Sequence, residues 1–206
     1  MSAIDKRPVV GPVKVHALGL EGDAQADPRV HGGEHKALHC YPWAHHTLWQ
    51  QELPDHPLLR EPGAFGENLS LEGLTEADVC LGDVWQVGGC VAEVSQGRQP
   101  CFKLNLRFGV QDMAARMQRT GRTGWYLRVV QPGEVAAGDR VTLQHCPHPA
   151  WSIARLLALI HDGCTDPQVL RAVLQQPLPP SWQRLFERRL QFGAVEDASP
   201  RLHGPG

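Results

Sequence analysis

The sequence predicts a mainly β fold: a β-barrel or sandwich with flanking helices over residues 1–148, followed by a small three-helix module and tail over 149–206. Three observations carry this expectation. Short apolar runs of period two fill the chain from Val13 to about Cys146; strands with alternate side chains facing a core read this way. Glycine (21 residues) and proline (17) are frequent between them, as turns between many short strands require. At Cys146-Pro-His-Pro149 the composition breaks, and beyond it the apolar period becomes helical.

The elements follow in order. Val13, Val15 and Ala17 alternate with polar neighbours and read as a strand. A helix is expected from His35 to about Leu53, on Leu38, Tyr41 or Pro42, His45 and Leu48-Trp49, with Pro42 making it irregular. Val84–Val87 and Val91–Val94 read as strands joined by a Gly88-Gly89 hairpin turn. Val110 to Arg119 places Val110, Met113, Ala114 and Met117 on one helical face. Trp125–Val130 and Arg140–Leu143 read as further strands, and Gly82-Asp83 and Gly138-Asp139 as the turns that deliver the chain into the strands behind them. After the break, Ser152 can cap a helix carrying Ile153, Leu156, Leu157 and Ile160. Asp166-Pro167 starts a second, with Val169, Leu170, Val173 and Leu174 as its stripe. Ser181 can cap a third through Trp182, Leu185, Phe186, Arg189 and Leu190. Gly193 to Gly206 reads as irregular.

Composition narrows the function classes. A chain of 206 residues, 42% apolar and 20% charged, can bury a core and is not of disordered type. Twenty Lys and Arg against 22 Asp and Glu leave a net charge of -2, which is no footprint for nucleic acid. No apolar run reaches membrane-spanning length. The start, MSAIDKRPVVGPVK, lacks the apolar centre of a signal peptide. The expectation is a cytoplasmic protein with no membrane partner. Six scattered cysteines (Cys40, Cys80, Cys90, Cys101, Cys146 and Cys164) form no C-x-x-C pair. Reduced thiols are expected, most of them packing as small hydrophobes.

Three stretches set polar groups among glycines: Gly19 to Asp23 running on to His31-Gly-Gly33 and Lys36, then Gly63 to Asn68, then Ser95 to Lys103. In the third, Arg98 and Lys103 flank Cys101. Nearby cations favour a thiolate, the form that acts as nucleophile or soft metal ligand. Taken singly, each stretch also reads as turns, a packed cysteine and solvated charge.

Together the segments GLEGDAQADPRVHGGEHKALHCYP, FGENLSLEGLTEADVCLGDVW, VSQGRQPCFKLN, TGRTGWYLRVVQPGEV and the closing RRL…ED…RL.G resemble the MOSC domain family, in its YiiM-like branch with an extra C-terminal three-helix module. The R-x-P-C core of the third segment is the most specific part. The resemblance implies a β-barrel that holds molybdopterin-bound molybdenum, with Cys101 as the metal's protein ligand. Arg98, Lys103 and Lys36 would supply charge to the phosphate, because a guanidinium grips phosphate through two donors. Phe65, Gly66, Glu67 and Asn68 would offer backbone donors and an amide to the pterin edge, and Ser95 would join the cofactor site. His31 would hydrogen-bond the cofactor, so that Cys101, His31 and Asn68 form the expected catalytic set. The implied activity is reduction of N-hydroxylated compounds, such as N-hydroxylated purine bases, a detoxifying reaction. No flavin or iron–sulfur motif occurs, so electrons would come from a separate reductase. Pyridoxal phosphate is not expected, and a homodimer is.

Two features depart from the family pattern. Relatives carry a further strand ahead of Ser2-Ala3-Ile4, which bears on barrel closure and the phosphate pocket. Gly97 stands where proline is common, which would loosen the cofactor loop. Two rival readings remain. In one, Cys101 carries a persulfide and the protein delivers sulfur or cofactor without catalysis. In the other, His31, His35 and His39, with His45-His46 after them, form a zinc hydrolase centre, although Gly32-Gly33 breaks any helix there and no H-E-x-x-H occurs. The resemblance reaches Arg201-Leu202, so Leu202 is expected to pack back on the protein.

Overall fold

The computed structural model describes residues 4–23 and 32–204. Nine strands form two sheets among these residues: β1 Val13–His16, β2 Gly19–Leu20, β3 Leu38–Pro42, β4 Leu69–Leu71, β5 Val84–Val87, β6 Cys90–Gly97, β7 Trp125–Gln131, β8 Gly133–Val135 and β9 Val141–His145. The small sheet runs β2-β1-β8 and the large one β4-β3-β7-β6-β5-β9. Every pairing is antiparallel except β3 with β4. The sheets curl into a half-barrel, the form in which the expected barrel is met. The Gly88-Gly89 hairpin is as expected, with Val87 opposite Cys90.

The helix expected from His35 is split. Glu34–Lys36 is a single 3-10 turn, and β3 follows with all five residues buried. Only at Trp43 does a helix start, α1 Trp43–Glu52, with Pro42 as its N-cap. Pro42 lacks an N–H but its fixed φ suits the step from strand into helix. The Val110–Arg119 helix is α3 Met113–Thr120, and a short α2, Lys103–Phe108, precedes it.

The helical module is α4 Ile153–His161, α5 Pro167–Val173 and α6 Pro180–Phe192. Ser152 Oγ caps α4 by accepting the Arg155 N–H at 3.2 Å, and Asp166 caps α5. Ser181 does not cap α6. Pro179 stands at that position, and Ser181 Oγ turns to Gln96 Oε1 at 3.4 Å. The module packs on the large sheet, where Leu156, Leu157, Trp182 and Phe186 share one core with Trp85 and Trp125. Arg189, 1% exposed, caps the end of α4 through the carbonyls of Leu159 and Ile160 and pairs with Glu196 at 2.7 Å.

The tail is not irregular throughout. Ser199–His203 forms α7, and Leu202 is buried. This helix lies against the loop after β6. The Phe102 N–H donates to Arg201 O at 2.7 Å, and Arg201 Nη1 reaches Pro100 O. Gly97 does not loosen that loop. It is the last residue of β6, opposite Trp125, and a Cβ added there would stand 2.7 Å from Leu157 Cγ. The close approach of α4 demands a residue without a side chain.

Candidate functional site

The ends of β3, β6 and β7 meet the 63–68 loop and the segment at residues 4–7. Gly63 and Gly66 have positive φ, and a Cβ on Gly66 would stand 2.6 Å from Ile4 Cγ1. The loop thus brings Lys6 into the site. Lys6 Nζ lies 2.8 Å from Asp23 Oδ2, which also accepts from Asn68 Nδ2 at 2.7 Å. Asn68 is bonded twice to β3: its Oδ1 accepts the His39 N–H at 2.9 Å and its own N–H donates to His39 O at 2.8 Å.

Arg98 leaves β6 directly into the site. Its backbone N–H donates to Gly124 O at 3.0 Å, its side chain bonds the Tyr126 phenol, and it is only 6% exposed. Its Nη1 is buried with no partner among the described residues. A buried donor left unpaired costs about 1–3 kcal/mol, so this nitrogen marks where an acceptor belongs.

His39 lies beside it, with Nε2 3.4 Å from Thr123 O. Burial, then the nearby charges of Arg98 and Lys6, push its pKa down to about 3, so its imidazole is neutral at physiological pH. Burial also lowers Lys6, against the pull of Asp23. Glu67 is the buried anion of the site. Burial opposes its charge, but His46 and the backbone N–H groups hold its pKa at about 2. It accepts from Gly63 N at 2.7 Å, Phe65 N at 3.0 Å and Ser70 Oγ at 3.0 Å.

Cys101 is a free, half-buried thiol in the turn before α2. Lys36, Arg201 and the Tyr126 phenol all lie within electrostatic reach of its sulfur. Lys36 Nζ is 6.0 Å from the Tyr126 ring centroid, and burial lowers its pKa while the cysteine opposes that shift.

The remaining expected residues divide. Lys103 is the first residue of α2 and half-exposed. Ser95 is buried, and its Oγ donates to His35 O at 2.6 Å and lies 3.0 Å from Tyr126 O, tying the 3-10 turn to β7. Phe65 is wholly buried and stacks on Tyr41, with ring centroids 4.2 Å apart. The backbone N–H groups of Phe65, Gly66 and Asn68 are all bonded within the protein. Their visible work is to position Glu67, Asp23 and His39. His31 lies outside the described residues.

Sequence reasoning passed over Lys6, Tyr126 and Arg201, and weighed His39 only as a zinc ligand. The available signals were a histidine inside an apolar run and an arginine in the closing segment. The histidine cluster does not form a metal centre among the described residues. His45 pairs with Glu76 at 2.8 Å, His46 stacks on Trp43, and His39 faces Thr123.

Residues 27–142 match the MOSC domain, and residues 151–193 match the YiiM-like, 3-alpha helix domain. Protein YiiM of Escherichia coli (strain K12) is 41% identical over 212 aligned residues, covering 98% of this chain and 91% of that protein. A protein named "Reductase" from Gibberella moniliformis is 37% identical over 92% of this chain. The chain spans 34% of that longer protein. The crystal structure of YiiM from Escherichia coli superposes with a TM-score of 0.85, at 36% identity and 97% coverage of both chains.

Proposed function

From the premise that this chain belongs to the MOSC family and carries a YiiM-like three-helix domain, we propose that it binds molybdopterin-bound molybdenum and reduces N-hydroxylated compounds, such as N-hydroxylated purine bases, with electrons from a separate reductase. The observation that carries this reading is the unpartnered Nη1 of buried Arg98, a few residues from a thiol flanked by cations. An anionic, polar ligand with a soft metal fits both features. The relative named "Reductase" supports a redox role.

When bound, the group supplies two-electron oxygen-atom chemistry. The chain's residues do the rest. The Arg98 guanidinium would hold the ligand's phosphate or pterin oxygens; its side chain is bonded to Tyr126, and its backbone is anchored by the Gly124 carbonyl. Lys36 and Lys103 would add charge around that anion. Cys101 would ligate molybdenum as a thiolate, a soft donor for a soft site. Neutral His39 keeps a ring without charge between Arg98 and Lys6, so the site's positive charge stays on groups that can face the ligand. Asn68 and Glu67 hold Asp23, His39 and the 63–66 turn in place. In this reading residues 1–148 form the cofactor domain, and residues 149–206 brace its loop from outside.

The test is expression in a host that makes molybdopterin and in one blocked in its synthesis, followed by molybdenum quantification and turnover of an N-hydroxylated base with a chemical reductant. About one molybdenum per chain and turnover from the first host only are expected. Cofactor-loaded protein that does not turn over the base sinks the reductase reading and leaves the persulfide carrier. Equal, negligible molybdenum from both hosts sinks the cofactor itself.

A further inference from the structure

A second cluster of ligand-type side chains lies away from the Cys101 loop. Cys80 and Asp83 sit in the turn leading into β5, and Cys146 stands directly after β9 at the start of the connection to the helical module. The two sulfurs and one Asp83 carboxylate oxygen all lie within 4.8 Å of one another. Cys80 and Asp83 are buried, and Cys146 is half-buried. Asp83 Oδ2 accepts the Cys80 N–H at 2.8 Å. Asp83 Oδ1 is buried, on a residue 1% exposed, and has no hydrogen-bond partner among the described residues, while the Cys146 thiol is hydrogen-bonded to the Asp83 carboxylate and gives up that proton when an ion binds. An unpaired carboxylate oxygen inside a protein asks for a cation or a donor.

We propose that Cys80, Asp83 and Cys146 form a structural site for a zinc-class divalent ion, which clips the barrel to the helical module. The donor set decides the class. Two sulfurs and one carboxylate suit zinc, whereas magnesium and calcium take oxygen alone. A Zn–S bond of about 2.3 Å in tetrahedral geometry puts two sulfurs about 3.8 Å apart. With every ligand atom within 4.8 Å of the others, the sulfurs need to approach by at most about 1 Å to reach that geometry, a change that side-chain rotation can supply. The fourth position falls to water or to His148, whose ring packs over Gly82 next to Asp83.

The location gives the ion its role. The connection 146–152 runs along the 79–83 turn, with the Leu81 N–H donating to Trp151 O at 2.9 Å and the Ile153 N–H to Val79 O at 2.7 Å. Cys80 Sγ meets Pro149 O at 3.6 Å. An ion bound here links both sides of this seam, so metal affinity becomes folding free energy for the docked module.

The experiment uses the full-length, reduced protein. Zinc is titrated against a chromophoric chelator, and cobalt(II) is then added to zinc-free protein and followed by absorption. Wild type and Cys101→Ser, which lacks the other site's thiol, should each bind one zinc tightly and give a sulfur-to-cobalt charge-transfer band. The Cys80→Ser/Cys146→Ser double variant should lose the band and bind zinc at least a hundredfold more weakly. Zinc should raise the melting temperature of wild type but not of the double variant. Should the double variant not fold, Cys146→Ser alone, at the half-buried position, reads the same loss. Equal binding in wild type and variant means adventitious histidine binding only, and overturns the site. So does a Cys80–Cys146 disulfide that forms in the presence of one equivalent of zinc.

Discussion

Glu76 accepts the Gly124 N–H at 2.6 Å, and the same glycine's carbonyl accepts the Arg98 N–H at 3.0 Å. One carboxylate, far from Arg98 in sequence, therefore sets where that guanidinium starts. Glu76 Oε1 also takes the Thr123 N–H at 2.9 Å, and Oε2 takes His45 Nε2 at 2.8 Å. Thr123 O in turn faces His39. The buried carboxylate thus organises the turn that positions both Arg98 and His39.

Glu76→Ala removes the acceptor of two buried backbone N–H groups at once. At about 1–3 kcal/mol for each unpaired group, the loss should reach about 2–6 kcal/mol. Glu76→Gln, which keeps one acceptor oxygen, should lose less. Urea denaturation of the three proteins measures this. An alanine variant within about 1 kcal/mol of wild type would show that water replaces the carboxylate without penalty.

Stability should fall on mild acidification. His39 is held at about 3 and His161 at about 4 in the folded protein, both below their ordinary value of 6.5. Burial is the main cause in each, followed by the charge of Arg98 for His39 and of Arg201 for His161. The unfolded chain takes up these protons first. Their contribution is complete above pH 6.5 and is lost as pH falls from 6.5 toward 4 and 3, by about 1.4 kcal/mol per pH unit for each histidine. Glu67, held at about 2 against an ordinary 4.5, adds a further loss below pH 4.5. Urea midpoints across this range should slope downward, and His39→Gln should remove about half the slope between pH 6.5 and 4.5. An unchanged slope in that variant would place the acid sensitivity elsewhere.

The legible parts of the chain were those with a single period. Trp125–Gln131 shows a strand because Trp125 and Leu127 are buried while their neighbours are less so. The α4 stripe shows a helix because Ile153, Leu156, Leu157 and Ile160 share a face. β3 fails this test. It is buried on both sides, so it does not alternate, and Leu38 and Tyr41 happen to fit a helical spacing. In the site, Arg98 and Cys101 are three residues apart and announce themselves together. Lys6, His39, Tyr126 and Arg201 reach the same place from four distant segments, and no local spacing links them. The 65–68 stretch was legible as a site segment, but its backbone donors turn inward, a matter of turn geometry that composition does not carry.

Gly97 joins the Cys101 loop to the helical module through its packing on Leu157. A Cβ at this position meets Leu157, which is 1% exposed and packed in the core. Gly97→Ala should cost about 1–3 kcal/mol, as overpacking of a filled core does. Leu157→Ala alone should cost about 2–5 kcal/mol through the cavity it leaves. In the double variant the new methyl occupies part of that cavity, so the two losses should sum to more than the measured total, by about 1 kcal/mol or more. Strict additivity in a urea-based double-mutant cycle would mean that Leu157 does not set the size limit at Gly97.

The sharpest separation lies between Cys101 and Arg98. If the Cys101 thiolate ligates molybdenum, Cys101→Ser replaces a soft donor by a hydroxyl that rarely ionises, so turnover should collapse. Part of the cofactor should remain, because Arg98, Lys36 and Lys103 still hold its anionic and polar parts. Arg98→Ala should act in the opposite order. It removes the guanidinium with its unpartnered Nη1, and the loss of one charge-assisted hydrogen bond, about 1.5–3 kcal/mol, weakens retention roughly tenfold or more before it affects the chemistry. Arg98→Lys should recover little, since an ammonium cannot span two acceptors in the same plane. Cys40 and Cys90, both buried, and Cys164 should tolerate substitution with stability effects alone, and Cys80 and Cys146 should change metal-linked stability without touching turnover. The measurement is molybdenum content and turnover with a chemical reductant across all six cysteine variants and both Arg98 variants. Near-normal turnover in Cys101→Ser, or a different cysteine proving indispensable, would move the metal ligand away from the R-x-P-C turn and with it the role assigned to Lys36 and Arg201.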